Sequence, residues 1–245
     1  MSDEDRVAKA DAAYVMPTYS RYPVEFVSGH DATLVDSTGK EYIDLLGGIG
    51  CASLGHANPA VKQAIVKQLD RVWQTSNYFY DENRVRLAAA ISTMLSTTTD
   101  EGGHVVGSTG TRWKTFFANS GAEANEGAIK IARRWGEREL GGAYTIVTAR
   151  QSFHGRTLAT LAATGQDKFH ESFRPMPAGF VSVPLNDIYA LREAVCRSGK
   201  GAPCAVMLEC VQGEGGVWNA NYDYVRDVRE LCNENNVLLI IDEVQ

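Results

Sequence analysis

Val237, Leu238, Leu239, Ile240 and Ile241 run directly into Asp242, Glu243, Val244 and Gln245. Five consecutive apolar residues read as a strand covered on both faces, the pattern of a parallel sheet enclosed by helices. In such sheets ligands collect outside the carboxyl ends of the strands, where Asp242 would stand. A carboxylate is costly in that position unless something uses its charge.

The rest of the chain repeats the theme. Thr115 to Ala118, Tyr144 to Thr148, Val181 to Val183 and Ala205 to Leu208 read as further strands, separated by helical stretches Glu123 to Glu139, Asp187 to Arg197 and Tyr222 to Asn235. Alternation of this kind requires crossovers and a largely parallel sheet, so the predicted class is α/β. Asn58 to Arg71 and Asn83 to Leu95 read as earlier amphipathic helices, the first opened by Pro59. Thr33 to Val35 and Glu41 to Ile43 flank the turn Asp36 to Gly39, a hairpin in an arm covering residues 1–55. Residues 56–245 form the expected large domain. The Ser/Thr/Gly-rich stretch from Ser96 to Thr111 reads as a mobile loop.

With a net charge of −6 spread over interspersed acids and bases, the chain offers no basic stripe for nucleic acid and no anionic-lipid site. Its apolar runs are too short to span a membrane, and the charged N-terminus is unlike a signal peptide, so a cytoplasmic location is expected. Cys51, Cys196, Cys204, Cys210 and Cys232 lack CxxC spacing and read as reduced, mostly buried thiols. No HxxxH pair suggests a metal.

Polar groups gather at the strand exits. Ser120, Gly121 and Ala122 lie where a strand passes into a helix, and first-turn amides at the positive end of a helix dipole suit a phosphate; a plain Ser120 cap explains the same residues. Glu126 and Lys130 are spaced for an exposed ion pair. Ser152 to Thr157 (SFHGRT) offers Phe153 for stacking and Arg156 for a carboxylate, against readings as core packing and a surface ion pair; His154 reads as a hydrogen-bonded strut. Glu209 and Glu214 flank a glycine-rich exit, Gln212 to Gly216. A P-loop hydrolase would need G-x-x-x-x-G-K-[ST], but Lys114 and Thr115 follow Trp113, not glycine.

Taken in order, NSGAEANE (119–126), SFHGRT (152–157), QGEGG (212–216) and IDEVQ (241–245) resemble the class III, fold type I pyridoxal-phosphate aminotransferases. Pro17 to Arg21 and GGIGCASLGHANP (47–59) resemble the arm of the acetylornithine branch. The resemblance implies that Ser120, Gly121 and Ala122 bind the cofactor phosphate and Phe153 stacks on its ring. It also implies that Asp242 pairs with the ring nitrogen, Val244 packs against the ring and Gln245 reaches the phenolic oxygen. Arg156, Glu209, Glu214 and Tyr19 are implied on the substrate side.

The same resemblance implies amino transfer from N-acetylornithine to 2-oxoglutarate by a homodimer; ornithine, 4-aminobutyrate and succinyl-diaminopimelate are alternative donors. Ile49, where ornithine enzymes resemble one another in having Tyr, and Thr75, Ser76 and Asn77 favour the first donor. Cys210 replaces the usual proline. The lysine that holds the cofactor lies, in the family, some tens of residues past the position of Gln245. The chain alone is therefore expected to be inactive, poorly stable and at most a weak noncovalent binder of pyridoxal phosphate.

Overall fold

The computed structural model describes residues 3–100, 102–199 and 201–245. The chain divides into two compact units, Met1–Val85 and Arg86–Gln245. The first contains α1 (Asp3–Tyr14), an antiparallel sheet of β1 (Phe26–His30), β2 (Thr33–Asp36) and β3 (Glu41–Ile43), the single turn α2 (Gly47–Gly50) and α3 (Pro59–Leu69). The expected hairpin is present. Asp36 Oδ1 closes its turn by accepting from the amides of Thr38 (2.9 Å) and Lys40 (3.0 Å). Asn58 Oδ1 caps α3 by accepting from Ala60 and Val61, and Pro59 needs no donor there.

Helix α4 (Glu82–Ser96) leads into the second unit, where Ser96 to Thr111 is not the expected loop. Part of it pairs as an antiparallel hairpin, β4 (Thr97–Thr99) with β5 (Val105–Ser108), Thr97 opposite Ser108 and Thr99 opposite Val105; Glu101 lies outside the described residues. The predicted strand Thr115 to Ala118 does not form either. Among the described residues no strand pairs with it to complete its hydrogen bonds, and Phe116 and Phe117 stay exposed.

The core is a four-stranded, wholly parallel sheet in the order β11-β8-β6-β7, built from β6 (Thr145–Ala149), β7 (Phe180–Val183), β8 (Pro203–Leu208) and β11 (Leu238–Ile241). Helices α5 (Gly121–Glu139), α6 (Leu158–Ala163), α7 (Ile188–Val195) and α8 (Tyr222–Glu234) connect and flank it, and a short hairpin, β9 (Val211–Gln212) with β10 (Trp218–Asn219), follows β8. Strand period two sorts the side chains into two cores. Ile146, Ala205 and Met207 meet Ile129 and Ala132 of α5. Val147, Val206 and Leu208 face the other way, against Leu191 of α7 and Val228 and Leu231 of α8. Truncating a fully buried leucine such as Leu231 to alanine costs about 2–5 kcal/mol.

Strand β11 departs from expectation. It is the edge of the sheet, hydrogen-bonded only to β8 among the described residues, so Leu238, Leu239 and Ile240 are half-buried and Ile241 is exposed. The cysteines also differ: Cys204 and Cys232 are buried, Cys210 is intermediate, and Cys51 and Cys196 are exposed. Among the described residues no helix is long and apolar enough to cross a membrane.

Candidate active site

Ladder register brings the carboxylates together. Leu238 pairs with Ala205 and Ile240 with Met207, all four on the α5 side of the sheet. Two residues further along each strand, the same facing recurs at Glu209 and Asp242. The Asp242 amide continues the ladder by donating to Leu208 O (2.8 Å).

Asp242 is held from three directions. Asn125 Nδ2, from α5, donates to Oδ2 at 2.7 Å; His154 Nδ1 meets the same oxygen at 2.8 Å; the Val244 amide donates to Oδ1 at 3.1 Å. The side chains of His154 and Asp242 are 0% and 4% exposed. Burial pushes the carboxyl upward, but the bonds from His154, Asn125 and Val244 prevail and hold it below the ordinary carboxylate range. A carboxylate has about four acceptor positions. Both on Oδ2 are taken and one on Oδ1, which leaves Oδ1 able to accept from one further cationic N–H.

The loop after β6 supplies the next layer. His154 is the strut that the sequence suggested: its carbonyl accepts from Asn125 Nδ2 (2.9 Å) and its amide donates to Thr164 Oγ1 (2.9 Å). Its Nδ1 faces the ionised Asp242, and among the described residues its buried Nε2 has no hydrogen-bond partner. Gly155, at φ +131°, lies so near α5 that a Cβ there would stand 2.9 Å from Ala122 Cβ. Phe153 is half-buried, edge-on to Phe169 (6.1 Å between centroids), and the exposed Arg156 guanidinium lies 5.7 Å from one ring and 5.5 Å from the other.

Glu209 is 6% exposed and accepts from the Phe153 amide at 3.0 Å. Burial pushes its carboxyl up to about 7, against the Phe153 bond and the charge of His154; Asp242 adds to the rise. Glu214 is exposed on the β9–β10 turn. Gln212, buried, ties that hairpin to the loop after β6 through Nε2 to Arg150 O (2.9 Å).

At the start of α5, Ser120 Oγ accepts from the Glu123 amide (3.1 Å) and Ser120 O from the Ala124 amide (3.0 Å). Glu123 Oε2 in turn accepts from the Asn119 amide (2.5 Å). The amides of Gly121 and Ala122 have no intrahelical acceptor. A Cβ on Gly121 would lie 2.7 Å from Val244 Cγ1, so Val244 closes directly over this turn. Glu126 is engaged differently from the expected pair with Lys130: its Oε1 accepts from Thr157 Oγ1 (2.5 Å).

Four motifs separated in sequence thus share one cluster in the second unit. Its geometry offers a fixed anion, a pair of helix-start amides, a half-buried ring and a guanidinium, the donor and acceptor set of a planar, phosphorylated cation and a carboxylate. Residues 14–245 match the family described as Aminotransferase class-III. The chain belongs to this family.

As a class-III aminotransferase it is 48% identical to the acetylornithine aminotransferase of Caldanaerobacter subterraneus subsp. tengcongensis, over 95% of this chain and 54% of that one. A crystal structure of the ornithine aminotransferase from Toxoplasma gondii superposes with a TM-score of 0.85 at 28% identity, covering 98% of this chain and 53% of the other. A second structure of that Toxoplasma enzyme, with a TM-score of 0.84 at 28% identity over 97% of this chain and 52% of its own, is described as showing partial occupancy of PLP at its active site. The chain spans about half the length of the curated relatives it matches. The likeness makes the parallel sheet and its helices part of a fold type I architecture.

Asn125 is the residue that sequence reasoning left unassigned. A signal existed: with Ile129, Ala132 and Gly136 it forms the buried stripe of α5, at spacings of four, three and four. A polar residue on such a stripe needs a buried partner.

Proposed function

We propose that the chain supplies the cofactor-binding part of an acetylornithine aminotransferase, which moves the amino group of N-acetylornithine to 2-oxoglutarate and yields N-acetylglutamate semialdehyde and glutamate. The 48% identity to the Caldanaerobacter enzyme supports the donor. The observation that carries the cofactor assignment is Asp242, buried, held ionised and with acceptor capacity left on Oδ1. Pyridoxal phosphate, when bound, supplies the electron sink that lets an amino-bearing carbon lose a proton.

Under this reading Asp242 holds the ring nitrogen cationic, and Asn125 and His154 fix the angle of the carboxylate. The amides of Gly121 and Ala122, beside the Ser120 cap, receive the phosphate. Phe153 and Val244 bound the ring, and Gln245 serves its phenolic oxygen. Arg156 grips the substrate carboxylate. Glu214, exposed, is the carboxylate able to neutralise an arginine until a dicarboxylate displaces it, and Glu209 lines the base of the site beneath Phe153. Tyr19 is proposed on the substrate side, residues 1–55 as an arm with part of a small domain, residues 56–245 as the large domain, and the working state as a cytoplasmic homodimer.

None of the residues placed at the site is a lysine, so we also propose that these 245 residues alone do not turn over. Borohydride reduction with pyridoxal phosphate is expected to fix no stoichiometric adduct; an adduct at one lysine refutes this. For the donor, the chain is to be joined to the C-terminal half of the Caldanaerobacter relative and assayed for glutamate with 2-oxoglutarate. N-acetylornithine is expected to exceed ornithine, 4-aminobutyrate and succinyl-diaminopimelate by about tenfold, the discrimination expected of about 1.4 kcal/mol. Faster turnover of any other donor overturns the assignment.

A further inference from the structure

The backbone from Ser152 to His154 is tied at every residue. Ser152 Oγ accepts from the Gly165 amide (3.0 Å) and Ser152 O from Gln166 Nε2 (3.1 Å); the His154 amide donates to Thr164 Oγ1 (2.9 Å). Between them, the Phe153 amide has Glu209 Oε2 as its acceptor. Of these four ties only the last can change its charge.

We propose that Glu209 is a positioning residue for Phe153, one that fixes the ring through its backbone amide and tightens that hold when the carboxyl loses its proton. The inference rests on the proposed function only for what the ring faces; the contact stands without it. A hydrogen bond to an ionised acceptor is roughly twice as strong as a neutral one, so deprotonation tightens the amide. Burial makes that deprotonation happen near neutrality, the carboxyl being pushed up to about 7. The titratable groups coupled to it are His154, on the loop after β6, and Asp242, at the end of β11; the first favours the ionised form and the second opposes it. A carboxyl at the end of β8 thereby senses the charge of the carboxylate at the end of β11 and passes it to the intervening aromatic residue.

The test is an amide NMR experiment on the isotopically labelled chain. In the wild type, the Phe153 amide shift is expected to follow one inflection near pH 7, with slow exchange against solvent. Glu209→Gln keeps an acceptor, so slow exchange is retained and the inflection disappears. Glu209→Ala removes the acceptor, so exchange at Phe153 accelerates about tenfold or more while the Val206 and Leu231 amides of the core stay protected. An inflection that persists in Glu209→Gln arises from another group and overturns the proposal, as does unchanged Phe153 exchange in Glu209→Ala. If the alanine variant loses core protection, the glutamine comparison alone decides. Pyridoxal phosphate binding, followed by phosphorus NMR on the chain joined to the C-terminal half of the Caldanaerobacter relative, separates the two readings. Failure of that joined chain to bind removes the proposed function and leaves the Glu209 result intact.

Discussion

Replacing Asn125 by alanine tests the site's architecture most directly, because one amide nitrogen serves two buried acceptors from separate segments. Nδ2 donates to His154 O at 2.9 Å and to Asp242 Oδ2 at 2.7 Å. Leaving a buried carbonyl unsatisfied costs about 1–3 kcal/mol, and a bond to a charged group contributes about 1.5–3 kcal/mol. Allowing for partial relaxation, Asn125→Ala is expected to destabilise the second unit by about 3 kcal/mol at pH 7. With a urea slope of about 3 kcal/mol per molar for a unit of this size, the midpoint falls by about 1 M. The pH dependence has a defined sign. Asp242 titrates below its unfolded value of about 3.9. Its contribution is therefore present above that value and is lost as pH falls through the folded one. Losing one of three donors raises the folded value, so the gap between wild type and variant should be widest near pH 7 and narrow below about pH 4. Urea titrations at pH 7, 5 and 3.5, read by far-UV circular dichroism, measure both quantities. A midpoint shift under about 0.2 M at pH 7, or a gap that widens toward acid, refutes the argument.

Other consequences follow from single contacts. Glu209 has a folded value near 7, above its unfolded one, so it favours the folded state at low pH and that contribution is lost as pH rises toward 7. Glu209→Gln should flatten a fall of about 2 kcal/mol between pH 5 and 8, measured by urea midpoints; an unchanged slope contradicts it. Gly155→Ala combines positive φ with a Cβ 2.6 Å from Thr160 Oγ1 and 2.9 Å from Ala122 Cβ, and should cost about 3 kcal/mol by thermal unfolding. Ser120→Ala removes the α5 cap and should cost about 1 kcal/mol; a neutral result would mean that Glu123 alone organises that turn.

Much of the second unit was legible because its strands obey simple periodicity. The apolar runs at β6, β7, β8 and β11 and the helices α5, α7 and α8 formed within a few residues of expectation, whereas the short α6 after the Ser152 to Thr157 loop had no expected counterpart. Thr115 to Ala118 has the composition of a strand, but strand formation needs a neighbour, and neighbours are a property of the whole sheet rather than of four residues. Ser96 to Thr111 failed in the opposite sense, since its small polar composition hid the β-branched run Thr97–Thr99 that pairs with Val105–Ser108. At the site, motif residues were found by chemistry, whereas Asn125 and the inward turn of Glu209 depend on which groups meet across the fold. Asp242 meets Asn125 across 117 residues and His154 across 88. The α5 stripe signals that Asn125 is buried, but over such distances the identity of its partners carries no local trace.

Strand register has a consequence for how this sequence can vary. Glu209 and Asp242 look toward α5 because each lies an even number of residues past a side chain already facing that way. Removing or adding one residue inside β8 or β11 would rotate the corresponding carboxylate to the α7–α8 side, into the apolar layer of Leu191, Val228 and Leu231. A change of two residues would restore the direction but displace the group by about 6.6 Å along the sheet, taking Glu209 beyond reach of the Phe153 amide or Asp242 beyond reach of Asn125. Length polymorphism in these two strands is thus forbidden by parity at one step and by reach at the next. Variation in chain length is left to the turns at the opposite end of the sheet, where α7 passes into β8 and α8 into β11.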